Sequence, residues 1–347
     1  MKSVSVNLLL YQPKFYLRPC LESVLNQSYK NFELLIIDND SSDGTVEKVK
    51  EIIVRVQTAG QNLPSCRIIV NQANMGFAAA HNLGIRESRG ELVFLLNQDI
   101  ILDIDFVKNA VAAFGQEEKI GSLQGKLLRL KVDDENLTRT DIIDNAGLII
   151  FKNRRVIARG QGQADLGQFD RQEEIFGVDG AAAVYRRAAL QEAKICLDGQ
   201  CEYLDEDFYM YKEDVDLAWR LRLVGWRAYY TPTATAWHAR TAGDSAAKNY
   251  FAIIRERLKI DKFAKYVAFK NQRLMQIKNE QPALLLKHLP WFLPKEIASW
   301  VYVILFERYT WKAIRDLFKQ APRAWQKRKI VMAQKKVSAK EMKRWFE

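Results

Sequence analysis

The stretch ELVFLLNQDIIL, residues 91–102, is apolar from Leu92 to Leu96 and then stops on Asn97-Gln98-Asp99. A short, continuous apolar run bounded by polar residues reads as a strand buried on both faces, the kind found in parallel sheets. The preceding sequence repeats the pattern. VSVNLLL (4–10), FELLIID (32–38) and RIIV (67–70) are short apolar runs. Between and around them FYLRPCLESVLNQ (15–27), TVEKVKEIIVRV (45–56) and GFAAAHNLGIRES (76–88) place apolar residues at helical spacing. Strands alternating with helices predict an α/β fold: a Rossmann-like, mostly parallel sheet flanked by helices. Ligands of such sheets bind beyond the carboxyl ends of the strands, where the loops converge. The amide and carboxylate that end the 91–97 run therefore sit where a ligand is expected.

A chain of 347 residues, 48% hydrophobic, has enough apolar side chain for a substantial core and about two domains. The opening MKSVSVNLLLYQPKF has a short apolar run and no small-residue cleavage site, which predicts a cytoplasmic protein. Cys20, Cys66, Cys196 and Cys201 form no CxxC and no paired zinc-type spacing, so free thiols are expected and no metal is inferred from them. The net charge of +11 is unevenly distributed. Residues 311–347 carry twelve Lys/Arg against three acids, and the remaining 310 residues carry only +2. A basic tail of this kind suits an anionic membrane surface. It lacks the interleaved aromatic platform of single-strand binders and the core is nearly neutral, so no nucleic acid partner is expected.

Three other places concentrate polar chemistry. In IIDNDSSDG (36–44) Asp38 and Asp40 lie at or just past a strand end, where acids in nucleotide-binding α/β proteins accept bonds from base or ribose. Asp43-Gly44-Thr45 reads as a turn and helix cap. Asp99 presents a carboxylate suited to a hard divalent cation, which takes oxygen ligands and bound phosphate. As a cap for the following helix, Asp103 or Asp105 is better placed. In YKEDVDLAWRLRLVGW (211–226) Glu213, Asp214 and Asp216 crowd the first turn of a helix ended by Gly225, more acids than capping needs. His238, one of three histidines, follows a strand-like run with Arg240 close by. His81 and His288 read as structural.

Five segments, in this order, resemble a known family: LESVLNQSYKNFELLIIDNDSSDGT, NQANMGFAAAHNLGIR (71–86), FLLNQD (94–99), VDGAAAVYRR (178–187) and LDEDFYMYKEDVDLAWRLRLVG. Over residues 3 to about 240 the chain resembles the inverting family 2 glycosyltransferases with the GT-A fold, and within them the rhamnosyltransferase-like branch. The resemblance implies that Asp38 and Asp40 lie against the base and ribose of a nucleotide-sugar donor, dTDP-rhamnose or a UDP-sugar. The segment from Asn74 through Gly76 to Asn82 would form another wall of that pocket. It implies that Asn97-Gln98-Asp99 matches the metal-binding Asp-x-Asp site, with Asn97 standing where the first carboxylate would be. Asp99 would then hold Mg or Mn against the donor diphosphate, with His238 nearby. It selects Asp214 as catalytic base with Glu213 as neighbour, and places Gly180, Trp219 and Arg220 on the acceptor side.

DNAGLIIFKNRRVIARGQGQADLGQFD (144–170) reads as a hairpin with Lys152-Asn153 in its turn, inserted over the cleft. Beyond residue 243 the family pattern ends, so the expected division is a catalytic domain 1–243 and a helical, basic extension 244–347. Residues 247–266 and 307–326 read as amphipathic helices. Between them residues 283–306 are apolar but interrupted by Lys287, His288, Pro290, Pro294, Lys295 and Glu296, which predicts interfacial attachment rather than a spanning helix. The expected function is transfer of a sugar, rhamnose by the resemblance, to a lipid-linked or polysaccharide acceptor on the inner face of the cell membrane. The rival expectation is a protein without catalytic activity that binds nucleotide sugars or, through the tail, nucleic acid.

Overall fold

The computed structural model describes residues 2–60, 62–240 and 250–347. Strands β1 (Val4–Leu10), β2 (Phe32–Asp38), β3 (Ser65–Val70) and β4 (Leu92–Asn97) are linked by helices α1 (Leu17–Leu25), α2 (Thr45–Thr58) and α3 (Gly76–Glu87). They pair in parallel in the order β4-β1-β2-β3. Leu10 lies opposite Asp38, Asp38 opposite Val70 and Leu9 opposite Asn97, so the carboxyl ends form one rim.

The chain continues through β5 (Ile100–Leu102), α4 (Phe106–Phe114), β6 (Ile120–Asp133), β7 (Asn136–Asn145) and the hairpin β8 (Leu148–Ile150) and β9 (Val156–Ala158). Next come β10 (Glu173–Ile175), β11 (Ala182–Arg186), α5 (Arg187–Ala193), a hairpin of β12 (Ile195–Leu197) and β13 (Gln200–Glu202), α6 (Glu213–Leu223) and β14 (Arg227–His238). On the far side of β4 the sheet turns mixed. β11 runs antiparallel to both β4 and β6, while β14 runs parallel to β6.

The alternation of side chains along each strand divides the core between two faces. Leu92, Phe94 and Leu96 face α1, α2 and α4, whereas Val93 and Leu95 face α3, α5 and α6. Each such side chain removed from water contributes roughly 1.5–3 kcal/mol, so a polar insertion in β4 would be felt on either face.

Helices α7 (Tyr250–Lys259), α8 (Lys262–Asn279), α9 (Pro282–Phe306), α10 (Trp311–Gln334) and α11 (Ala339–Met342) complete the chain. The helix expected over 247–266 is two helices, and its first residues lie outside the described ones. Asp261 makes the break: its carboxylate accepts the amides of Phe263 and Ala264 at 2.7 and 3.3 Å and so starts α8 afresh. The boundary expected at 243/244 also lies outside the described residues.

One expectation is corrected by the packing, and the C-terminal segments take definite places. Cys196 and Cys201, expected as free thiols, are disulfide-bonded, because the β12–β13 register puts them directly opposite with Cα atoms 4.0 Å apart. The basic tail is not a free arm: Lys327 of α10 is buried and bonds Glu202, Asp205 and Asp207 at 2.6, 2.5 and 2.7 Å. Leu274, Met275, Leu317 and Val331 share one apolar core with Phe208 and Trp219 of the body. The segment 283–306 is one 25-residue helix that continues through Pro290 and Pro294, long and apolar enough to cross a membrane by length and composition. Leu286, Trp291, Ile297, Leu305 and Phe306 stand exposed on it.

Candidate active site

The rim of β1, β2 and β4 carries the first group of polar residues. Asp38 is buried; one carboxylate oxygen accepts the amide of Ser41 at 3.1 Å and the other has no partner within the protein. An unsatisfied buried carboxylate oxygen at a strand end is costly unless a ligand or water answers it. Asp40 is exposed and sits in the left-handed region at φ +70°.

Between them Asn39, which the sequence reading passed over, organises the pocket. Its Oδ1 accepts from Asn71 Nδ2 at 3.0 Å and from the Met75 amide at 3.1 Å, and its Nδ2 donates to Asn74 Oδ1 at 2.9 Å. That Asn74 oxygen also receives the Gly76 amide at 3.0 Å and the Tyr209 hydroxyl at 3.2 Å. Gly76 lies at φ +81°, and a Cβ there would come within 2.4 Å of the Tyr209 ring, so only glycine fits. Gln98 bonds both the amide and the carbonyl of Tyr11, at 2.7 and 3.0 Å, and so fixes the loop after β1.

Asn82 is corrected: it spends its amide on the 203–206 segment, donating to Leu204 O and Glu206 and accepting from Tyr203 and Leu204 amides. It takes no part in the Asn39–Asn74–Gly76 network.

Asp99 and His238 meet because β14 pairs antiparallel with β5, setting His238 opposite Ile100, and the Ala239 amide donates to Asp99 O at 3.0 Å. His238 Nε2 lies 3.4 Å from Asp99 Oδ2, and its Nδ1 lies 2.8 Å from Asp144 Oδ2. Burial opposes a charge on the imidazole, but the two carboxylates outweigh it and raise its pKa to about 10. Burial likewise raises Asp99, yet His238 wins and holds it below the usual carboxylate range. Arg240 bonds the other oxygen of Asp144 and approaches Asp179 at 3.8 Å, and Asn145 donates to Asp179 at 2.8 Å. Asp144 and Asp179 were not singled out in the sequence; Asp179 stood inside the quoted VDGAAAVYRR, and Asp144 carried no local signal.

Asp99, Asp179, His238 and Arg240 line a cleft of about 400 Å³ with Asn97, Gly180, Lys212, Glu213 and Asp214. Asp214 Oδ2 accepts the Gly180 amide at 3.3 Å, and its Oδ1 accepts the Val215 amide at 2.7 Å. Burial, together with Asp179, lifts its pKa to about 6. Glu213 is pushed well above the carboxylate range by burial and by Asp214, and its Oε2 is buried without a partner. The β8–β9 hairpin closes one side of the cleft through Leu148, Val156, Ile157 and Ala158.

Trp219 and Arg220 are corrected as acceptor-side residues. Trp219 packs edge-on against Phe346 in the core shared with the C-terminal helices. Arg220 is buried, bonded to Asp216 at 2.9 Å and to the carbonyls of Ala193 and Tyr203.

A parallel sheet whose rim holds an acid-bearing pocket, beside a carboxylate-lined cleft, has the architecture of the GT-A fold. Two solved structures share it. One is a mannosyltransferase, PcManGT, from Pyrobaculum calidifontis in complex with GDP-Man and Mn2+ (TM-score 0.52, 16% identity, 99% of this chain and 87% of that one). The other is S. aureus TarS 1–349 in complex with UDP-GlcNAc (TM-score 0.50, 13% identity, 95% and 90%). The model of glycosyl transferase family 2 matches residues 6–193, more than half of the chain, and the chain belongs to that family. Among curated relatives it is 25% identical over 236 residues to the poly-beta-1,6-N-acetyl-D-glucosamine synthase of Staphylococcus epidermidis, covering 68% of this chain and 50% of the relative. The chain thus spans about half the length of the curated relatives it matches.

Proposed function

We propose that this chain transfers a sugar from a nucleoside diphosphate donor to an acceptor hydroxyl in a single inverting displacement, with Asp214 as general base. The observation that carries the reading is the cleft itself: Asp214, with a pKa raised to about 6, shares it with Asp99 and His238, the groups this reading sets against the leaving diphosphate. A base of that pKa is ionised at neutral pH and still able to take a hydroxyl proton. As the acceptor oxygen bonds to the anomeric carbon, its proton passes to Asp214. The bond from that carbon to the phosphate oxygen breaks, and its electron pair leaves with the diphosphate.

Asp38, Asp40 and the Asn39–Asn74–Gly76 network form the pocket for the nucleoside in this reading. Asp99 and His238 Nε2 fit a divalent cation, Mg or Mn, since a hard cation takes one or two protein ligands and completes its shell with substrate phosphates. Among the described residues no group of three or more His, Cys, Asp or Glu converges to hold a metal by itself. When bound, the cation supplies Lewis-acid stabilisation of the departing diphosphate. Histidine must be neutral to ligate, so cation entry would displace the proton that His238 shares with Asp99.

For the sugar, the motif resemblance favours rhamnose from dTDP-rhamnose. The name of the relatives above favours a second reading, N-acetylglucosamine from a UDP-sugar. We take the acceptor to be a lipid-linked or polysaccharide glycan in cell-surface synthesis, reached at the cytoplasmic membrane face through the exposed α9. Incubation with a panel of nucleotide sugars, followed by mass spectrometry of released nucleoside diphosphate, tests the reading. One donor should be consumed by the native chain and spared by Asp214→Asn. Equal consumption by both removes the base, and no consumption of any donor removes the enzyme.

A further inference from the structure

The segment that delivers Asp214 to the cleft is held from the far end of the chain. Tyr209, Tyr211 and Lys212 all adopt left-handed backbone at φ +65°, +65° and +77°, a conformation that side-chain-bearing residues rarely take. Three such residues within four positions do not persist unless the surroundings impose them, and here they immediately precede α6.

The imposing group is Asn271 of α8. Its Nδ2 donates to the carbonyls of Phe208, Met210 and Tyr211 at 2.9, 2.9 and 2.8 Å, one side-chain amide gathering three main-chain oxygens of the same loop. Asn271 is fully buried and the next residue back, Lys270, bonds Asp207 O at 2.7 Å. On its other side the loop is pinned to the donor wall, with the Ala78 amide on Tyr209 O at 3.1 Å and the Tyr209 hydroxyl on Asn74.

We infer that Asn271 is a positioning residue for the transfer reaction: by clamping residues 208–211 it sets the direction in which Lys212, Glu213 and Asp214 enter the cleft. This rests on the glycosyl-transfer reading and adds to it that α8, which lies outside the family-matched residues 6–193, is part of the working site. Asn271 itself is not among the residues that line the cleft and reaches the site only through the loop. Its loss should therefore lower turnover more than donor affinity, the division expected for an interaction that acts on reacting geometry.

The test compares Asn271→Ala with Gln272→Ala. Gln272 is a buried neighbour whose side chain donates to Arg154 O at 3.0 Å, with no bond to the loop, so it controls for destabilisation of α8. Donor turnover is measured as nucleoside diphosphate release from whichever of UDP-N-acetylglucosamine or dTDP-rhamnose the native enzyme consumes, and donor affinity by calorimetry. Asn271→Ala should lose at least tenfold in kcat with donor Kd within twofold, and deuterium exchange in residues 208–213 should quicken. Gln272→Ala should lower the melting temperature comparably while kcat stays within twofold. Native turnover in Asn271→Ala, or an equal kcat loss in Gln272→Ala, overturns the clamp. If Asp214→Asn measured in parallel is crippled while Asn271→Ala is not, only the clamp falls; native turnover in both removes the base assignment as well.

Discussion

In the proposed reaction Asp214 is the residue on which the chemistry turns, and its environment gives two opposite pH signatures. Replacing it by Asn keeps shape and removes the base, so transfer should fall roughly 10²–10⁴-fold with donor affinity little changed, and Glu213→Gln should cost less. Because burial and Asp179 raise its pKa to about 6, kcat/KM should decline as the pH drops below that value. Stability runs the other way. A carboxyl whose folded pKa lies above its unfolded one penalises the fold where it is ionised, fully above about pH 6 and not at all below about pH 4. Asp214→Asn should therefore melt at a higher temperature than the native chain at pH 8, the gap closing towards pH 4; a lower melting temperature at pH 8 would refute the assigned environment. Asp99→Asn should lower turnover as strongly as excess chelator does, while circular dichroism stays native, and full activity in chelator would exclude the cation. Gly76→Ala should cost about 1–3 kcal/mol in urea unfolding, since its Cβ meets the Tyr209 ring in a left-handed backbone. Asp38 and Asp99 drew attention in the sequence as acids at predicted strand ends, and the resemblance singled out Asp214 and His238; the structure puts Asp99, Asp214 and His238 on one cleft. Asp144 gave no such signal, since it acts through His238, 94 residues away. Asn39 was overlooked between two acids, although its amide holds three partners.

At the scale of elements, periodicity located the first four strands to within two residues; β1, β2 and β4 are plain apolar runs buried on both faces, whereas β3 at the sheet edge is only half-buried. The resemblance, not the spacing, set Trp219 and Arg220 of α6 on the acceptor side, and a helix buried all round has no open face for such a role. The division of the long C-terminal helix at Asp261 was legible in principle, since an aspartate before Lys262-Phe263-Ala264 is an ordinary cap. The cysteine pair was not: Cys196 and Cys201 face each other only once the β12–β13 register exists. Lys327 of α10 carries the element-scale prediction. Lys327→Met strands Glu202, Asp205 and Asp207 without their shared cation, and removing one partner of a buried ion pair typically costs about 3–5 kcal/mol. Denaturant unfolding should show that loss, whereas Lys319→Met on the exposed side of the same helix should be nearly neutral.

For the whole molecule, the placement of charge changes the expectation for membrane contact. The tail's positive charge is partly consumed within the protein: Lys327 is buried, Arg344 bonds Glu174 and Lys336 bonds Glu192. Attachment should then depend more on the apolar side chains of α9 than on the net charge. Trp291→Ser with Leu305→Ser should release the protein from vesicles of anionic phospholipid while turnover on a soluble acceptor persists, and unchanged co-sedimentation would show that α9 does not mediate binding. Deleting residues 283–347 is a poor substitute for these variants, since it removes Lys327 and the core residues Leu317 and Val331 together. The pairing of Asp205 with Lys278 and Lys327 also bears on how the chain is made. During synthesis Asp205 leaves the ribosome before either lysine, so this acid waits 73 residues for Lys278 and 122 for Lys327. Vectorial folding would stall at a loosely closed intermediate until α10 emerges, and a helix translated near the end of the chain would act as the latch on the part translated first.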